Sequence, residues 1–105
     1  MAITVPTVDQ AKYLHQFIQD RNEDEWRQAM ADDGLSEARL DTVRRLSNCT
    51  KLAVASNAAA LLIALRDGAR GPIETYWQNL TSCGEQWQEH PDWNHDWANP
   101  ARMAL

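Results

Sequence analysis

Two glycine-bearing breaks, Asp32-Asp33-Gly34 and the segment from Gly68 to Gly71-Pro72, cut the 105-residue chain into three stretches. Each stretch repeats its apolar residues at helical spacing, so the breaks leave room for helices and little else. Thr7 with Gln10 three residues on has the spacing of a capping box and predicts a helix near 7–31. On a helical wheel Val8, Ala11, Leu14, Ile18, Trp26 and Ala29 share one side, opposite Lys12, Gln16, Gln19, Asp20, Glu23 and Arg27. Gly34 is expected to stop this helix in the left-handed conformation. Ser36 is the next N-cap, with Leu35 placed for a hydrophobic staple to Leu40, and the second helix should run near 36–67. Pro72 suits a first helical turn, where its missing N–H goes unnoticed, and predicts a third helix near 72–89. A chain of this length supports one core, so residues 1–105 are read as a single domain. The expected fold is all-α: a compact three-helix bundle with an aromatic tail, residues 90–105, packed across it.

The second helix carries more apolar surface than one neighbour can cover. Leu40, Val43, Leu46, Ala53, Val54, Leu61, Ala64 and Leu65 form its main arc, with Thr50 and Asn57 inside it. Leu52, Ala55, Ala59, Leu62 and Ile63 add a second arc, which the third helix covers only in part, and these five are the expected self-association surface of a homodimer. Whether Ser47-Asn48-Cys49-Thr50 interrupts the helix is open. The third helix presents Ile73, Tyr76, Trp77, Leu80, Cys83, Gly84 and Trp87 as a narrow stripe, in which Gly84 implies a close backbone approach or a kink.

Net charge is −5, distributed as an acidic, a basic and an acidic third. The simplest meaning is three helices whose flanks neutralise one another. The alternative is a basic face of Arg39, Arg44, Arg45 and Lys51 for a phosphate backbone, although an acidic domain would hold nucleic acid poorly. The run from Asp20 to Glu25 is most simply a solvated helix face. The start of the chain has no basic region followed by an apolar one, and no apolar run approaches the roughly 20 residues of a membrane span. A cytoplasmic protein without a membrane partner is expected. In that setting Cys49 and Cys83 should be reduced and buried.

Four of the five tryptophans, Trp77, Trp87, Trp93 and Trp97, fall within 21 residues. An indole brings a large apolar area together with an N–H that needs an acceptor, so such a group either clamps the tail onto the core or faces a partner. Trp93 is expected to dock and Trp97 to remain at least partly exposed. His90, Asp92, His95 and Asp96 are the one cluster with metal-ligand chemistry, but they lie in a segment with no regular structure to aim them. His90 as a cap of the third helix, with Asp92 and Asn94 making turns, accounts for them without a metal. No nucleophile stands in a recognisable catalytic setting, and no glycine-rich phosphate loop is present. Neither an enzyme nor a cofactor is expected.

The helix reading Phe17-Ile18-x-x-Arg21-x-x-Asp24-Glu25 and the segment His90-Pro91-Asp92-Trp93 with a further Trp97 resemble small actinobacterial and phage-encoded proteins of uncharacterised function. The middle of the chain departs from that pattern. The resemblance implies an accessory factor and no active site. The expected role is a non-enzymatic interaction protein that meets a protein partner through Trp87, Trp93, Trp97, Asp20, Glu23 and Asp24. The alternatives are a nucleic-acid-associated regulator acting through the basic face, and, more remotely, a metal-assisted hydrolase at His90 and His95.

Overall fold

The computed structural model describes residues 5–32 and 34–97. Three helices follow one another: α1, Val8–Ala31; α2, Glu37–Asp67; and α3, Arg70–Gly84. A 3-10 turn, Glu85–Trp87, continues α3. All three helices touch one another, and Trp93 and Trp97 are buried against them, so the all-α bundle with an aromatic tail is the fold of the chain.

The helix starts follow the caps read from the sequence. The Thr7 hydroxyl accepts from the Gln10 N–H at 3.1 Å, and the Gln10 side chain accepts from the Thr7 N–H at 2.9 Å, closing both halves of the capping box. Ser36 accepts from the Arg39 N–H at 3.2 Å. The stops differ in detail. Asp32, in an extended conformation, caps α1 in place of the expected glycine, and its carboxylate accepts from the Gly34 N–H at 2.9 Å. The left-handed glycine is Gly68, with φ 65°, at the end of α2. α2 runs unbroken through Ser47–Thr50, and Asn57 in its arc is satisfied by the Ala53 carbonyl and by Asn79 of α3. By length and composition alone α2 is long and apolar enough to cross a membrane, so apolarity summed along a helix gives a different answer from the search for an uninterrupted apolar run.

α3 begins two residues before Pro72, which then occupies the third helical position, still within the first turn where its N–H has no partner to lose. It ends at Gly84 and not near 89, because there the tail crosses its face: a Cβ on Gly84 would lie 2.9 Å from the Trp93 ring and 3.1 Å from Leu14. Of the two readings of this glycine, close approach is the one realised.

Unequal helix lengths shape the molecule, which measures 50 × 25 × 23 Å. α3 has 15 residues against 31 in α2, so it covers only the half of the α1–α2 hairpin near Gly68. Leu14, Ile18, Leu61 and Leu80 fill the core there. The last buried residue of α1 is Asn22, whose amide donates to the Ser47 carbonyl and hydroxyl at 3.0 and 3.1 Å. Between positions 23 and 53 no described residue is buried. That stretch is a two-helix arm carrying Trp26, Ala29 and Leu40 only partly covered and Met30 and Leu46 exposed. The apolar arcs predicted for both helices therefore exist as directions, but their distal parts lack a neighbour.

Candidate functional site

The tail folds back on α1 at Phe17. Successive backbone turns, from His90 N–H to Trp87, Trp93 N–H to His90 and Trp97 N–H to Asn94, bring three rings around it. His90, Trp93 and Trp97 lie with centroids 5.7, 5.6 and 5.5 Å from Phe17, and Trp93 meets Trp97 edge-on at 5.3 Å. These are the tilted and edge-to-face contacts that aromatic quadrupoles favour. Trp93 is 8% exposed and Trp97 5%, so the expectation that Trp97 would remain partly open is corrected: its ring faces Phe17 and Trp93, leaving almost none of it to solvent. The Trp97 indole N–H has no partner among the described residues.

Arg21, one turn beyond Phe17, closes the cluster. Its guanidinium lies 5.4 Å from the Phe17 centroid, pairs with Asp24 at 3.1 Å and approaches Asp92 at 3.7 Å. It also lies 2.8 Å from Nε2 of His90, whose Nδ1 accepts the Asp92 N–H at 3.0 Å. His90 thus ties the tail to α1, and the cap of α3 expected of it is not what its ring does. Asn94 does make its turn, accepting from the Asp96 N–H at 2.9 Å. Partly buried Trp87 donates its indole N–H to Glu25 at 2.9 Å. Phe17, Arg21 and Glu25 from one end of the chain therefore meet Trp87, His90, Asp92 and Trp93 from the other, and Asp24 is held by Arg21. Sequence reasoning left Phe17, Arg21 and Asn22 off the buried face, although Phe17 lies one turn after Leu14 and Arg21 one turn after Phe17.

The acidic residues proposed for partner contact divide. Asp24 is engaged by Arg21, whereas Asp20 accepts from Gln16 at 2.8 Å and Glu23 pairs with Arg27 at 3.5 Å. Asp20 and Glu23 also line a groove of about 550 Å³ between α1 and α2, together with Trp26 and with Arg44 and Lys51 from the opposite wall. The four cations proposed for nucleic acid do not form one basic face. Arg44 and Arg45 both pair with Asp41, and Arg44 and Lys51 share their groove with two carboxylates. Of the five self-association residues, Leu52, Ala59 and Ile63 are exposed; Leu62 is partly buried against the core, and Ala55 is partly buried in the α1–α2 groove.

Among the described residues no three metal-binding side chains converge. Both cysteines are free, but Cys49 is exposed where a buried thiol was expected, because it lies on the outer side of α2. Burial pushes the Cys83 thiol above its ordinary range, with a hydrogen bond from Gln86 acting the other way. A thiol held protonated is a poor nucleophile. The aromatic cluster thus brings rings, ion pairs and turns into contact, a constellation suited to holding the tail on α1. Comparison with family models, curated proteins and solved structures finds no match to this chain.

Proposed function

We propose that this protein is a small non-enzymatic interaction protein, an accessory factor of a phage or mobile element that binds and modulates a host protein, working in the cytoplasm without a cofactor. One observation carries the reading: the arm between positions 23 and 53 holds Trp26, Met30, Leu40 and Leu46 without burying any of them. Trp26, Met30 and Leu40 line a cleft of about 640 Å³ whose rim is Glu37, Asp41 and Arg44. Open apolar surface with a polar rim is typical of a protein contact. The contact is assigned to this cleft, with Asp20 and Glu23 beside it, and not to Trp93 and Trp97, whose rings are enclosed by Phe17 and each other. A nucleic-acid reading draws less support, since Arg44 and Lys51 face carboxylates across their groove.

The test is affinity capture from host lysate with the wild-type chain and with Met30→Glu, followed by mass spectrometry. Met30 is 53% exposed, so the substitution should leave the melting temperature within a degree or so while removing the captured protein. Capture that survives Met30→Glu would move the contact elsewhere, and salt-sensitive retention of nucleic acid in its place would favour the alternative.

A further inference from the structure

One side of α2 lies opposite the core and is spaced like a helix-pairing seam, with Leu52 also edging the α1–α2 groove and Ile63 a hollow beside Pro72 and Tyr76 of α3. Arg45, Cys49, Leu52, Ser56, Ala59, Ile63 and Asp67 are all exposed and follow one another in steps of four and three. From Arg45 to Ile63 that is the 3.5-residue repeat along which two helices keep a common face, followed by a second step of four to Asp67, and it lies opposite Val54, Ala58 and Leu61, which are buried in the core. Between its charged ends the row carries no charge, and Leu52 and Ile63 on it are 71% and 52% exposed. We propose that a second copy of this chain covers the row, the two α2 helices running antiparallel with Ser56 at the two-fold axis.

Size and charge set this orientation and register. With Ser56 against Ser56, Leu52 of one copy is level with Ala60 of the second and adjoins Ala59, and Ile63 lies over Cys49, so each large side chain meets a small one. At both ends Arg45 of one copy faces Asp67 of the other. These side chains are 70% and 54% exposed; within the chain Arg45 reaches Asp41 at 3.4 Å and Asp67 reaches Arg66 at 3.1 Å, leaving both free to reorient. A parallel pair would set Arg45 on Arg45 and Asp67 on Asp67, opposing like charges at both ends, and would stack Leu52 on Leu52 and Ile63 on Ile63 while leaving the small residues facing one another. A bilayer fits the row less well, because its middle offers Ser56 and Ala59 where lipid contact wants bulk. The dimer goes beyond the host-protein reading and uses a different surface, so its failure leaves capture at the Met30 cleft untouched, and the reverse also holds.

The register makes a distance prediction. Cys49 lies seven positions from the axis, so the two native thiols are about 21 Å apart at 1.5 Å per residue, far outside disulfide reach, whereas two cysteines at position 56 are adjacent. Full-length protein should scatter light as a dimer at micromolar concentration. Cys49→Ser/Ser56→Cys should cross-link nearly completely under mild oxidation, and the wild-type chain should not cross-link through Cys49. Arg45→Asp and Asp67→Arg should each weaken the dimer about tenfold, and the two together should restore it, since the exchange re-pairs both ends. Four results overturn the proposal: a monomer at hundreds of micromolar, Cys49 cross-linking as readily as position 56, a double exchange no better than either single one, or flotation with phosphatidylcholine–phosphatidylglycerol vesicles in place of a dimer.

Discussion

The two ends of the α1–α2 hairpin are built from the same helices and differ in what lies across them. Near Gly68 a third helix and a folded tail enclose Leu14, Ile18, Leu61 and Leu80 to within 1% exposure. At the other end the apolar stripes of the same two helices continue through Trp26, Leu40 and Val43, and no described residue there is buried. Amphipathic spacing says which way a helix would bury a face; whether the face is buried depends on the reach of its neighbour. Stability is concentrated at the covered end, and the uncovered end is available for contact.

Substitutions can break this contrast. The largest effect is expected at Trp93, whose ring touches Phe17, Trp97 and the space above Gly84. Trp93→Ala should cost about 3 to 5 kcal/mol, read as a fall in melting temperature on the order of 20 °C. A fall of only a few degrees would mean the tail does not hold α1. Next comes Gly84→Ala. The added methyl would sit 2.9 Å from a buried ring that has nowhere to go, so overpacking should cost about 2 kcal/mol by denaturant titration even though alanine is the better helix former. A neutral or stabilising result would show that Trp93 yields. The smallest effect is expected on the arm, where Leu46 is 63% exposed: Leu46→Ala should change stability by less than about 0.5 kcal/mol. A loss comparable to that of Trp93→Ala would place a hidden core in the arm and erase the distinction.

Local chemistry made much of the fold legible. Thr7 with Gln10, Ser36 and Gly68 act over one turn, and their side-chain or backbone hydrogen bonds form where the residue types imply. The end of α3 was not legible, because Gly84 stops it through Trp93, which the backbone brings over it only after the turns at Trp87–His90 and His90–Trp93. Phe17 and Arg21 were overlooked for a similar reason. Taken by itself α1 gives no cause to cover an arginine, and the cause is Asp92 together with His90, which stands 69 residues away. Arg39, Arg44, Arg45 and Lys51 looked like one basic feature as a composition and are dispersed around a helix that turns 100° per residue.

The clasp between Phe17 and the tail also orders events in time as the chain is made. α1 and α2 can pair as soon as the hairpin has emerged, since Asn22 and Ser47 are only 25 residues apart. Phe17 must wait for Trp93 and Trp97, and the closing of so long a loop comes late because its entropy is repaid only when the rings meet. Until then the nascent hairpin leaves the Phe17 ring uncovered beside Leu14 and Ile18. During synthesis a transient apolar site at Phe17 thus adds to the lasting one on the arm.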